Sequence, residues 1–224
     1  MDEIDRSATV EHYQNSYFQH GYSPKSLGWD KGRQDIRFEV LLSFFKGRGY
    51  SILDIGCGFG DLNRELIRHR SDSYKYTGID LVCELINEGR KQYPQKNVTF
   101  INGDFLQYSF EEKFDIVVAS GIFNYKFPTG GNDIFVEKVL QKAWSICNEG
   151  MAFDFLSNKI DFSYDHTYHN SPEHILYQGY RLSRQIVLRN DYIPFEFCLY
   201  IGKDESFDRD TPVFNIYKQL TGRL

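Results

Sequence analysis

The sequence predicts an α/β fold, a mostly parallel sheet of five strands finished by an antiparallel hairpin. Three observations lead there. Short apolar runs alternate with amphipathic helical segments between residues 51 and 156, the pattern of consecutive βαβ units. The first of these runs ends in a glycine-rich turn that opens a helix, the context in which such a turn carries meaning. Near the end, two apolar runs are separated only by Arg-Asn-Asp-Tyr-Ile-Pro, a connection too short for anything but a hairpin.

Taken in order, Val10, Tyr13, Tyr17 and His20 recur at helical steps and predict a helix over 8–20. Residues 23–32 (SPKSLGWDKG) are rich in turn formers and read as a loop. Over 33–46, Ile36, Val40, Leu41, Phe44 and Phe45 share one helical face. Ser51–Ile55 is a short buried strand. A helix over 61–70 points Leu62, Leu66 and Ile67 inward, and YKYTGI at 74–79 is a strand. The helix over 82–93 buries Val82, Leu85, Ile86, Gly89 and Tyr93. NVTFIN at 97–102 and FDIVVA at 114–119 are strands, and Val136, Val139, Leu140, Ala143 and Cys147 form the stripe of a helix over 132–148. Met151–Leu156 is the fifth strand. Ser171 then caps a helix with Pro172 at its first position, and strands at 185–188 and 195–201 follow.

The 224 residues suit one domain, with 1–49 as an N-terminal helical arm and 50–224 as the main body. A net charge of −5 disfavours nucleic acid as a partner, since gripping a phosphate backbone calls for basic surface. Aromatic residues reach 17%, with 16 Tyr among them, so many phenols must lie at surfaces or line a pocket where their hydroxyls find partners. No apolar run is long enough for a membrane span. The acidic, polar start lacks the layout of a signal peptide. The four cysteines show no metal-ribbon or CxxC spacing, so reduced structural thiols and a cytoplasmic location are expected.

The strongest motif is Asp54-Ile55-Gly56-Cys57-Gly58-Phe59-Gly60, spaced GxGxG and followed by Asp61. The dinucleotide fingerprint needs a small residue at that last position, so the turn argues for a nucleoside ligand without a pyrophosphate. Here the chain resembles the class I S-adenosylmethionine (SAM)-dependent methyltransferases. LDIGCGFG matches their first motif, GID at 78–80 the second, Gly103-Asp104-Phe105 the third and FDIVVASGIFNY at 114–125 the fourth, in order over residues 50–156. The resemblance implies a Rossmann-like seven-stranded sheet, mostly parallel with a C-terminal antiparallel hairpin, and helices on both faces. It also implies SAM as cofactor, held in the body at 50–224. Gly56, Gly58, Gly60 and Ser120 would lie against its methionine part. Asp80 can accept both ribose hydroxyls, with Leu81 offering an apolar face to adenine. Asp104 can accept from the adenine amine and Phe105 can pack on the ring. Asp54 either binds ligand or only organises backbone amides at a strand end.

In many members a segment before the first motif closes over SAM. Candidates are Tyr13, Tyr17, Trp29, Lys31, Gln34 and Arg37. Arg37 sits beside core-facing positions, where it needs a partner. The SAM carboxylate is one candidate, and a surface position reached by snorkelling is the alternative. Ligands of such sheets bind beyond the strands' carboxyl ends, so the acceptor is expected at loops 104–110, 120–132 and 154–171. The last holds His166, His169, Tyr164 and Tyr168 in a substrate-side insertion over 157–171. His166 or His169 is a candidate general base, with Asp154 or Asp161 the carboxylate alternative. His166, His169 and Asp165 match no standard metal spacing, so no metal is expected. Ser120-Gly121-Ile122-Phe123-Asn124 stands where base-modifying methyltransferases usually carry an Asn/Asp-Pro-Pro-aromatic run. That points to a small-molecule or glycan acceptor, contacted by Asn124 and Tyr125 and methylated on oxygen. The alternatives are N-methylation or a non-catalytic SAM-binding or interaction module.

Overall fold

The computed structural model describes residues 1–29, 33–45, 49–70, 74–210 and 212–222, without the side chains of 69, 70 and 220. Lys31 lies outside them. Helix α1 (Glu3–His20) starts at an Asp2 cap and is followed by a 3₁₀ turn over Pro24–Leu27 and by α2 (Gln34–Ser43). Then come β1 (Ser51–Ile55), α3 (Leu62–Arg70), β2 (Lys75–Asp80), α4 (Cys83–Gln92) and β3 (Val98–Asn102). They are followed by β4 (Phe114–Ala119), α5 (Asn132–Ile146), β5 (Cys147–Leu156) and α6 (Pro172–Tyr180). β6 (Ile186–Arg189), β7 (Glu196–Gly202) and α7 (Asn215–Thr221) close the chain.

The seven strands lie in the order β3-β2-β1-β4-β5-β7-β6. β1 to β5 are parallel, and β7 inserts antiparallel between β5 and β6. The reversal between β1 and β4, where chain order changes direction, opens a crevice at the strands' carboxyl ends. The period-two alternation of the strands divides the core. Leu53, Ile55, Val117, Phe153 and Leu199 face α5 and α6 on one side. Ile52, Tyr76, Val118, Ala152 and Cys198 face α2 and α3 on the other.

Three of the 19 phenylalanines form one stack. Phe155 and Phe197 are directly opposed across β5 and β7 with ring centroids 5.1 Å apart. Phe123, on the loop after β4, lies 4.7 Å from Phe155 at 12°. The stack pins the start of the β4–α5 loop to the sheet.

Several expectations change, and Cys147, expected on the helix over 132–148, instead opens β5. Ile36 is 38% and Ile67 44% exposed. In α2 the inward stripe runs through Gln34, Arg37, Phe38 and Leu41, because two polar side chains on it find partners and Ile36 is rotated off it. α1 begins five residues earlier than its apolar spacing suggests, since its inner side is polar: Asp5 is buried and accepts from the Thr129 amide at 3.0 Å and hydroxyl at 2.6 Å. The sequence reading placed no helix at α7.

Arg37 is buried, and its partner is Glu196 at the start of β7. The Arg37 Nε donates to Glu196 Oε2 at 2.7 Å and Nη2 to Oε1, while the guanidinium lies 4.0 Å from the Trp29 ring centroid. Arg37→Met should destabilise the protein by about 3–5 kcal/mol, because it strands a buried carboxylate. The double variant Arg37→Met/Glu196→Leu should recover most of that loss. Urea unfolding of the three proteins checks this, and a double variant as unstable as the single one would count against it.

Candidate active site

Gly56 follows β1 at φ +64°, and a Cβ there would stand 2.2 Å from Ile122 Cγ2, so the turn needs glycine both for its left-handed backbone and for the close approach of the β4 loop. Gly58 (φ +54°) would place a Cβ about 3.0 Å from Leu27 of the arm, and its amide donates to Asp80 Oδ2 at 2.8 Å. The Val82 amide donates to Asp80 Oδ1 at 2.9 Å. Asp80 is thus fixed by two backbone amides on neighbouring turns, and burial raises its pKa. Gly60 does something else. Its missing Cβ leaves room for the Phe100 ring, 2.5 Å away, on the core side of the turn rather than in the crevice.

The crevice is a cavity lined by Asp54, Gly56, Gly58, Asp80, Leu81, Asp104, Phe105 and Ser120, with Tyr13, Leu27 and Trp29 of the arm over it. Asp54 accepts from the Tyr76 hydroxyl at 2.8 Å, and burial pushes its carboxyl up to about 7. Ser120 Oγ and the Gly121 amide donate to Asp154 at 2.5 and 2.8 Å, and burial pushes that carboxyl up to about 6. Asp104 Oδ1 accepts from the Leu106 amide at 2.8 Å, whereas its Oδ2 is buried with no partner among the described residues. A buried acceptor left open costs free energy until a donor reaches it. The cavity therefore holds fixed acceptors, an apolar floor and one unsatisfied oxygen, the donor demands of a nucleoside amine and ribose.

Residues 52–150 match the methyltransferase domain family, with this cavity at the carboxyl ends of the strands they form. The matched segment is a methyltransferase domain. The chain is 26% identical over 167 residues to a demethylmenaquinone methyltransferase of Porphyromonas gingivalis, covering 71% of this chain and 65% of that protein. It is 29% identical over 119 residues to a malonyl-[acyl-carrier protein] O-methyltransferase of Acetivibrio thermocellus, covering 51% and 40%. It thus spans less than two thirds of either relative. The fold is similar to that of magnesium protoporphyrin IX methyltransferase from Synechocystis with SAM bound, at a TM-score of 0.64 and 14% identity over 91% of this chain and 98% of that one.

A second cavity, about 580 Å³, falls within the ~300–1,000 Å³ usual for small-molecule sites. Tyr13, Leu27, Trp29, Gly121 and Tyr125 line both cavities, so one wall separates them. Arg37 lines the second cavity and not the first, with two of its nitrogens taken by Glu196. Asn124, Tyr164, His166 and His169 also line it. Asn124 Oδ1 is already used by the Leu156 amide at 3.1 Å.

Two candidates have their polar atoms engaged elsewhere. Tyr168 turns outward and donates to Asp133 of α5 at 2.7 Å. His169 Nδ1 lies 2.9 Å from the Ser157 carbonyl, to which it must donate, and Nε2 lies 3.0 Å from Thr167 Oγ1. Both its ring nitrogens are engaged in holding the loop. His166 makes no side-chain hydrogen bond among the described residues and faces His12 of α1, ring centroids 6.5 Å apart. His12 and Glu196 were not singled out in the sequence. Their place in the cavity depends on the phase of α1 against a distant loop and on the strand order. No group of three metal-ligating side chains occurs among the described residues, and none of their helices is long and apolar enough to cross a membrane.

The buried Asp54 has a consequence for pH. Its carboxyl moves from 3.8 when unfolded to about 7 when folded. Between those values the folded chain holds a proton that the unfolded chain has released, so this group lowers stability as pH rises through the window. Asp54→Asn should flatten the ligand-free stability profile between about pH 4 and 7, by at most about 1.4 kcal/mol per pH unit. Urea unfolding across pH checks it, and identical slopes in variant and parent would refute the assignment.

Proposed function

We propose that the chain transfers a methyl group from SAM to a small organic molecule held in the second cavity, with oxygen as the acceptor atom. The observation that carries this reading is the single wall shared by the two cavities, made of Tyr13, Leu27, Trp29, Gly121 and Tyr125. One cavity has the acceptors of a nucleoside site, and the other has the size of a small-molecule site. Two of the similar proteins are named for small organic acceptors, demethylmenaquinone and magnesium protoporphyrin IX, which supports a substrate of that kind.

In this reading Asp80 accepts the ribose hydroxyls on the lone pairs its backbone amides leave free. Asp104 Oδ2 accepts from the adenine amine, with Leu81 and Phe105 as apolar neighbours. Gly56 and Gly58 leave room for the methionine part, beside Ser120. SAM supplies an already activated methyl group on a sulfonium. The chain's own contribution is to hold the acceptor in line, exclude water and receive a proton. The arm at residues 1–29 closes both cavities from above.

Asp80→Ala should weaken SAM binding by roughly 2–4 kcal/mol, since two charge-assisted hydrogen bonds are lost. Asp104→Ala should weaken it less. Titration calorimetry on the folded variants measures both. Unchanged SAM affinity in Asp80→Ala would overturn the cofactor assignment, and methylation assays with a panel of small acceptors test the transfer itself.

A further inference from the structure

We infer that His12 of α1 is the general base of the transfer and that the acceptor is a planar aromatic ring carrying a hydroxyl; this rests on the reading above. His12 lines the second cavity. Its ring lies 4.8 Å from Tyr125 and 5.0 Å from Tyr13 by centroids. Both tyrosines belong to the wall shared with the first cavity. Of the two histidines on the loop after β5, His169 is committed to its loop, and among the described residues the ring contacts of His166 are to His12 and Tyr164 rather than to either wall tyrosine. His12 is therefore the imidazole that adjoins the wall the methyl group must cross.

The surroundings suit a base. Among the described residues its titratable ring neighbours are Tyr13 on its own helix, Tyr125 on the β4–α5 loop and His166 on the β5–α6 loop, with Tyr164 stacked 5.7 Å beyond His166. Among the described residues no carboxylate is paired with it to hold a proton on the ring. Burial and the nearby His166 lower its pKa, which keeps the imidazole neutral and able to accept at neutral pH. The rest of the cavity selects the acceptor's shape. Its mouth carries Phe162, Tyr164 and Phe195, with Phe162 5.7 and 6.0 Å from the other two. Trp29 forms the inner wall, and the carboxylate of Glu196 is already neutralised by Arg37. Aromatic faces on several sides favour a flat ring, stacked or edge-on.

The step balances without any further reagent. A ring nitrogen of His12 takes the hydroxyl proton as the oxygen lone pair forms the bond to the methyl carbon. The methyl–sulfur bond breaks, and its electron pair stays on sulfur. His12 then returns the proton to solvent at the open mouth of the cavity.

The test compares an unactivated phenol with a nitrophenol that is already ionised at the assay pH. His12→Gln and His12→Ala should lose roughly 10²–10⁴-fold in rate on the phenol and less than about 10-fold on the nitrophenol, which needs no base. SAM affinity should be unchanged, which also reports folding. A second readout uses the protein without SAM. The phenol and phenolate forms of nitrophenol absorb at different wavelengths, and binding beside His12 should lower its apparent pKa, an effect lost in His12→Gln. Equal losses on both acceptors, or a bound dye whose titration ignores the substitution, would overturn the assignment of the base. A parent protein that binds SAM but methylates neither ring would overturn the acceptor class. A parent that fails to bind SAM would instead bring down the reading beneath it, and the dye titration would still decide whether His12 faces a phenol.

Discussion

Four carboxylates converge on the carboxyl edge of this sheet, and the site is built around keeping them there. Asp54, Asp80, Asp104 and Asp154 come from β1, β2, the turn after β3 and β5, and all four border or support one cavity. Like charges withdrawn from water raise each other's pKa and cost free energy. The fold answers with donors rather than cations: the Tyr76 hydroxyl for Asp54, two backbone amides for Asp80, one for Asp104, and Ser120 with the Gly121 amide for Asp154. The guanidinium of Arg37 is held by Glu196. The cavity thus keeps a negative, donor-poor interior with room for a ligand that is itself positive and donor-rich, which is the character of SAM.

The tight turns follow from the same constraint. Gly58 and Val82 can reach Asp80 only if the turns after β1 and β2 lie side by side, and the positive φ of Gly56 and Gly58 sets the first of them. Gly60 completes the turn by admitting Phe100 from β3. One glycine motif therefore divides its labour, two positions toward the cavity and one toward the core.

The strands, their parallel order and the carboxylates at their ends were legible because local patterns determine them. A period of two, a terminal glycine turn and an acid at a strand end need no knowledge of distant residues. Arg37 shows where that stops. Its position on the inward stripe of α2 signalled that a partner was required, but Glu196 lies 159 positions away and reaches it only through the antiparallel insertion of β7. The two loop histidines show the same limit. Spacing could not separate His169, tied to Ser157 and Thr167, from His166, whose side chain makes no such bond among the described residues, although both line the second cavity. His12 carried no signal at all, since its neighbours in space come from the β4–α5 and β5–α6 loops.

The N-terminal helix contributes to both cavities, yet its one buried residue is Asp5. Half-buried contacts attach the rest: Tyr13 and Tyr17 pack beside Phe59, Val82 and Leu85, Gln14 bonds Glu84 at 2.6 Å and Tyr17 Glu88 at 3.3 Å, and, just beyond the helix, Tyr22 bonds Asp61 at 2.8 Å. Such contacts are weak singly and break one at a time. A helix held this way and shared by two compartments makes their occupancies thermodynamically linked. Whatever free energy one ligand supplies to fix α1 is not required again from the second, so each raises the affinity for the other by the same factor.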